Sequence, residues 1–176
     1  MRNDILIAYY SWSGNTRKVA EMIKLETGGR LFEIKPVQPY TTDYRTLVAQ
    51  AKEEIHAGFR PELKAVPEST SQTSVVFLGS PIWWYTMAPP LATLIGLFNL
   101  NAKTVVPFHT HGGGGVGSFE EDIAKMCPNS KIATGFGAYN SGGSEAKSQI
   151  ASWLRSIGLN SQNNLNETFS KCSIGL

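Results

Sequence analysis

The chain has 176 residues, of which 41% are hydrophobic and 17% charged, with a formal charge of +2. That is one globular domain large enough to bury a real core. A charge so small and dispersed argues against a nucleic-acid partner, and no apolar run approaches the ~20 residues a membrane span needs.

Ile5, Leu6, Ile7, Ala8 and Tyr9 form an apolar run too short for a helix, the pattern of a strand buried on both faces of a parallel sheet. The run stops at Ser11-Trp12-Ser13-Gly14-Asn15-Thr16. Val19, Ala20, Met22 and Ile23 then supply the apolar stripe of a helix. A phosphate at such a helix start meets unpaired N–H groups and the positive end of the helix dipole, with hydroxyls as extra donors. Taken alone, Ser-Gly-Asn-Thr is also an ordinary helix cap; three hydroxyls in six residues favour the phosphate. Neither a Walker loop nor a G-x-G-x-x-G fingerprint is present, so Glu33 reads as a polar strand position rather than a ribose-binding acid.

Thr27-Gly28-Gly29 stops the helix, and Arg30 to Ile34 alternates as a half-exposed second strand. Pro36 to Tyr40 predicts an extended surface connection. Thr42 or Asp43 caps the next helix, whose stripe is Tyr44, Leu47, Val48, Ala51 and Ile55 and whose end is Gly58. Ser74 to Gly79 is a third strand, followed by Ser80-Pro81-Ile82-Trp83-Trp84-Tyr85. Large aromatics directly after a central parallel strand lie where open α/β folds bind ligands, and their faces suit a flat ring. Any one of them alone reads as core; the group of three beside proline predicts a ligand wall.

Met87 to Pro90 opens a helix with Leu91, Leu94, Ile95 and Phe98 inward. Lys103 to Phe108 is the fourth strand, and it runs into His109-Thr110-His111-Gly112-Gly113-Gly114-Gly115-Val116-Gly117-Ser118. Four consecutive glycines are costly in chain entropy, which predicts that something approaches this backbone closely. His109 and His111 lack a third ligand of certain placement, so a polar rim is expected rather than a metal site. A helix over 119–126, a fifth strand over 131–139 and a last helix with Ala146, Ile150, Trp153, Leu154 and Ile157 complete the pattern. The expected organisation is one domain over 1–160 and a polar tail over 161–176. The start Met-Arg-Asn-Asp leaves no room for a signal peptide, which predicts a cytoplasmic location. Cys127 and Cys172 form no C-x-x-C or zinc pattern and read as reduced thiols.

With Ser11-Trp12-Ser13-Gly14-Asn15-Thr16 after a first strand, the chain resembles the flavodoxin-like proteins, whose S/T-x-S/T-G-x-T loop holds the phosphate of FMN. The likeness continues through the Pro36 to Tyr40 stretch, the Glu-bearing helix ending in Arg60-Pro61, the Gly79-Ser80-Pro81-Ile82-Trp83-Trp84 loop and Trp153-Leu154, as in an NAD(P)H-dependent oxidoreductase-like subgroup. The resemblance implies an α/β, doubly wound, five-stranded parallel sheet of order 2-1-3-4-5 with helices on both faces. It implies FMN as cofactor, with Ser11, Trp12, Ser13, Gly14, Asn15 and Thr16 around the phosphate. Pro81, Ile82, Trp83 and Trp84 would wall the ring, and Thr110, His111, Gly112, Gly113 and Gly114 would meet its polar edge. The acids often found at that edge are absent here, which predicts a less negative low redox potential. No side chain is required as a catalytic acid or base. The expected activity passes electrons from NAD(P)H through FMN to a quinone or similar acceptor. The alternatives are a single-electron carrier between redox protein partners and a flavin-free binding module; a sequence pI near 8.5 disfavours the acidic docking face of a carrier.

Overall fold

The computed structural model describes residues 4–68 and 72–159; the tail over 161–176, with Cys172, lies outside them. Strands β1 (Asp4–Tyr9), β2 (Arg30–Glu33), β3 (Thr73–Trp83) and β5 (Thr104–His111) pair in parallel in the order β2-β1-β3-β5. The outer position beside β5 is shared by two short strands, β6 (Lys131–Ile132) and β7 (Phe136–Tyr139), and a two-residue strand β4 (Thr86–Met87) folds back antiparallel on β3. The expected five-strand order is therefore present, with its fifth strand in two pieces.

The break has a chemical cause. Val105 accepts from the N–H of Ala133, so Val105 and its i+2 neighbour Pro107 direct their backbone groups toward this edge. Pro107 has no N–H to give, and the ladder skips. The register moves from Val105↔Ile132 to Phe108↔Phe136, three residues on one strand against four on the other, which is a bulge.

Side chains alternate across the sheet with the strand period. Ile7, Val75, Phe77, Val106 and Phe108 pack beneath helices α1 (Asn15–Thr27) and α5 (Ala146–Ser156) through Val19, Ala20, Ile23, Ile150 and Leu154. Leu6, Ala8, Val76, Leu78 and Val105 pack on the other face against α3 (Pro89–Leu97) and α4 (Phe119–Met126). Both faces are covered, which is why the central strands read as unbroken apolar runs. Trp153 belongs to the core: it lies edge-on to Phe77 and donates its indole N–H to the carbonyl of Thr134 at 3.0 Å.

Helix α2 (Tyr44–His56) begins as its sequence suggests, with the Asp43 carboxylate accepting from the N–H of Thr46 at 2.8 Å. Its stripe is only partly inward. Leu47 and Ala51 are buried, whereas Tyr44 is 67% exposed, a correction to its expected place in the stripe. No helix among the described residues is long and apolar enough to cross a membrane.

Candidate functional site

Strands β1, β3 and β5 end at the same edge of the sheet, and the segments that leave them, with one flank of α2, enclose a cleft of about 420 Å³. Trp12, Ser13 and Asn15 come from the first segment, Pro81 to Tyr85 from the second, and Thr110, His111, Gly112 and Gly114 from the third. Among the described residues no aspartate, glutamate, lysine or arginine lines it.

At one end of the cleft lies the start of α1. Gly14 takes a left-handed conformation, φ 89°, turning the chain into the helix. Ser11 Oγ reaches over this turn and accepts from the N–H of Gly14 at 3.1 Å and of Arg17 at 3.3 Å. The chain's own hydroxyl thus sits where an anionic oxygen would be welcome. The first turn of α1 carries no acidic side chain to repel one. Thr16 is buried, and its hydroxyl shares a hydrogen bond of 2.8 Å with that of Thr110 on β5. Ser11, Gly14, Thr16 and Gly113 do not themselves line the cleft; Thr16 is buried and Gly113 exposed. Arg17 turns away from the loop to form an ion pair with Glu33. That pairing also explains Glu33 as a strand residue facing α1.

The aromatic segment is ordered differently from the sequence expectation. β3 runs on through Ser80, Pro81, Ile82 and Trp83, so these residues are strand and not loop. Gly79 ends up beneath the ring of Phe108, where a Cβ would lie 2.1 Å from a ring carbon. Trp83 pairs with Thr86, and Trp84 and Tyr85 are the two central residues of a tight hairpin. Both have positive φ, 47° and 68°, as a type I′ turn requires and bulky residues resist. Such conformations cost about 1–3 kcal/mol each and persist only when held. Here Trp84 donates its indole N–H to Val48 O at 2.9 Å, and the Lys52 ammonium lies 5.0 Å from its ring centroid. Tyr85 O accepts from the N–H of Ser118 at 2.7 Å, an approach open only because residue 117 is glycine at φ 56°; a Cβ there would sit 2.0 Å from that oxygen.

Trp83 is fixed from behind. Tyr10 and Tyr40 meet it edge-on, with ring centroids 5.6 and 5.0 Å away. Trp12 is fixed through its indole N–H, which donates to Thr41 O at 2.8 Å, and its ring lies 6.3 Å from Tyr44.

On the third segment β5 also extends further than expected, through His109, Thr110 and His111. His109 is buried against Phe119, and burial, with His111 nearby, lowers its pKa to about 4, so the ring is neutral. Its Nδ1 has no hydrogen-bond partner among the described residues. His111 stands at the rim and accepts the N–H of Gly113 on Nδ1 at 3.1 Å, which leaves Nε2 to carry the ring proton when neutral. Among the described residues, and apart from the chain neighbours, nothing lies within 4 Å of a Cβ built on Gly112, Gly114 or Gly115. The close approach expected over the glycine run is thus not made by the described protein, and the space stays open.

Tyr85, expected with Trp83 and Trp84 in the ligand wall, lines the cleft, whereas Tyr44, Leu47, Val48, Ala51 and Asn140 also line it and were missed by the sequence argument. The exposed Tyr44 beside the buried Leu47 carries no local signal of this. Asn140 is signalled only weakly, as a polar residue ending the fifth strand.

A family model described as flavodoxin matches residues 4–157. Among solved structures, the chain is 32% identical to a protein from Bacteroides eggerthii provisionally described as a flavoprotein, covering 89% of this chain and 99% of that one with a TM-score of 0.77. A similarly described protein from Bacteroides uniformis is 23% identical, with coverage of 88% and 99% and a TM-score of 0.78. A flavoprotein from Lactobacillus acidophilus, solved in complex with FMN, is 23% identical, with coverage of 86% and 98% and a TM-score of 0.70. No curated protein matches significantly.

Proposed function

Because this chain belongs to the flavodoxin family, we propose that its cleft holds FMN non-covalently and that the protein is an oxidoreductase using NAD(P)H and a quinone-like acceptor. The observation that carries the reading is the union, in one cleft, of an acid-free helix start and an uncharged slot walled by indoles. A volume of about 420 Å³ lies within the range of small-molecule sites.

The residues present fit the group. Ser11, Ser13, Gly14, Asn15 and Thr16 would hold the phosphate through hydroxyls and N–H groups, Ser11 Oγ yielding the acceptor position it now fills. The Thr16–Thr110 bond uses one of two hydroxyl hydrogens, so the other remains to donate. Trp12, Pro81, Ile82, Trp83 and Trp84 would enclose the ring, and Thr110, His111 and Gly112 to Gly114 would face its polar edge. When bound, FMN supplies the redox chemistry, and the protein supplies binding, orientation and exclusion of water. The open backbone at Gly112, Gly114 and Gly115 is the kind of space a flat ligand edge needs.

The aromatic and uncharged lining favours a planar organic acceptor. A second reading, an electron carrier between proteins, draws on the exposed Tyr44, Trp84 and Tyr85 at the cleft mouth, which are residue types enriched at protein interfaces. The first test is the absorption and fluorescence of the purified protein after FMN is added and excess removed. Resolved flavin bands with quenched emission support the cofactor; a protein that retains no FMN overturns it and leaves a flavin-free module. Steady-state NAD(P)H oxidation with a quinone, no faster than with free FMN, would remove the oxidoreductase reading in favour of a carrier.

A further inference from the structure

Tyr40 of the proline-tyrosine stretch and Glu54 of α2 do not line the cleft, yet the fold brings them together directly behind its wall. The Tyr40 phenol donates to Glu54 Oε2, and the other carboxylate oxygen is fixed by the Gln50 side-chain amide at 2.8 Å. The Tyr40 ring meets Trp83 edge-on at 5.0 Å between centroids, and Trp83 lines the cleft. The three side chains form a continuous line from the cleft to the partly exposed flank of α2, where Gln50 faces solvent.

We propose that Tyr40 and Glu54 act as a proton-coupled one-electron donor to the cleft, with Trp83 as the relay. The inference rests on the flavin reading of the site, since the oxidant is a light-excited oxidised flavin held there. That oxidant removes one electron from the Trp83 indole. Trp83 regains an electron from Tyr40, whose phenolic O–H bond breaks as its proton passes to Glu54 Oε2. The products are neutral Trp83, a Tyr40 phenoxyl and a Glu54 carboxylic acid: one electron has gone to the oxidant and one proton has crossed a single hydrogen bond. The reverse transfer, with the electron returned from the reduced flavin, restores the starting state.

The chemistry follows from placement. Burial first, and then the hydrogen bond to Glu54, raises the Tyr40 pKa, so at ordinary pH the phenol is neutral and must lose a proton when it is oxidised. A carboxylate already in hydrogen-bond contact is the one acceptor that needs no diffusion or rearrangement, and such charge-assisted O–H···O⁻ bonds are the short, strong kind. Tyr10 lies somewhat farther from Trp83, at 5.6 Å against 5.0 Å, and although the Glu54 charge also acts on its phenol, of the two phenols only that of Tyr40 is hydrogen-bonded to that carboxylate among the described residues. The line would carry oxidising equivalents away from the cofactor site and toward the surface.

The test is flash photolysis of the FMN-loaded protein, read by transient absorption and electron paramagnetic resonance. A neutral tyrosyl signal is expected in the wild type, absent in Tyr40→Phe and formed roughly 10²-fold more slowly in Glu54→Gln, the scale on which a positioned base acts. A signal that survives Tyr40→Phe, or disappears instead in Tyr10→Phe, overturns the assignment. So does a Glu54→Gln rate equal to wild type. Formation in deuterated solvent, measured on the wild type alone, must be slower than in water; an unchanged rate refutes the coupled proton even if a variant does not fold. If the protein retains no FMN, the function proposed above falls, and a soluble ruthenium polypyridyl photo-oxidant decides this proposal separately. Exposed Tyr44, Tyr85 and Tyr139 then add a common background, and a difference between wild type and Tyr40→Phe that Glu54→Gln slows supports the pair, whereas no difference overturns it.

Discussion

Thr16 at the start of α1 and Thr110 near the end of β5 lie 94 positions apart, and their hydroxyls share a buried hydrogen bond of 2.8 Å. The contact ties the polar loop after the first strand to the glycine-rich segment after β5, so the two ends of the cleft are held at a fixed separation. Replacing Thr16 with valine leaves the Thr110 hydroxyl buried and alone, at a cost of about 1–3 kcal/mol. The double variant Thr16→Val, Thr110→Val recovers part of that loss, because neither partner is then left unsatisfied. Denaturant unfolding of the four proteins gives the coupling directly; additive losses would show that the bond contributes nothing.

Gly117→Ala places a methyl group where the Tyr85 carbonyl now lies, at a backbone angle that alanine resists. The expected loss is at least the 1–3 kcal/mol or so typical of a strained residue, with the Trp84 hairpin released from Ser118. A lower melting temperature together with a red-shifted, more quenchable tryptophan emission is the expected pair of readouts.

His109 sets a pH dependence whose sign is fixed. Its folded pKa is lowered from 6.5 to about 4, chiefly by burial. The unfolded chain takes up a proton near 6.5 and the folded one resists until about 4, so its contribution to stability is full above 6.5 and is lost as the pH falls toward 4. The whole effect is on the order of 3 kcal/mol at most. His109→Gln, which cannot titrate, flattens the stability curve in that window; an unchanged slope assigns the dependence to other groups.

Asp122 contributes to the acid limb. Burial opposes its ionisation, but hydrogen bonds from Ser118 and Thr86, with Lys125 nearby, outweigh it and hold the carboxyl below its ordinary value of 3.8. Its stabilisation is therefore present above 3.8 and disappears as the pH drops through the lower folded value. Asp122→Asn loses stability at neutral pH and shows a shallower acid limb, measurable by urea melts at neutral and strongly acidic pH.

Cys127 is buried, and burial pushes its thiol up to about 11. Little thiolate exists at pH 8, so alkylation of this residue by iodoacetamide is slow in the folded protein and rapid in denaturant. Peptide mapping after a timed pulse checks this; equal labelling in both states contradicts the burial.

The elements themselves were largely legible. Ile5 to Tyr9 and Val75 to Leu78 are apolar without alternation because helices cover both faces of the sheet, and that signal needs no tertiary knowledge. The helix start at Thr42 or Asp43, of which Asp43 is the cap, and the 119–126 helix were equally plain, since capping and helical periodicity are local. The split of the fifth strand was not. It depends on Pro107 facing that strand rather than β3, a matter of register between segments more than twenty residues apart. Likewise, Trp84 and Tyr85 gave no sign of a left-handed turn, because the residues that hold it, Val48 and Ser118, come from elsewhere in the chain.

The α/β layering, the polar loop before α1, the aromatic group at the end of β3 and the glycine run after β5 are each written in the periodicity or backbone preference of a short segment. Only the tertiary structure decided which of these side chains face a common space. It set Tyr44 and Asn140 in the lining, turned Arg17 away to Glu33, sealed Thr16 against Thr110 and stood Tyr40 and Glu54 behind Trp83. The reason is physical: a residue type and its spacing specify local conformation, whereas direction toward a shared cleft depends on strand order and register, which arise from contacts between distant parts of the chain.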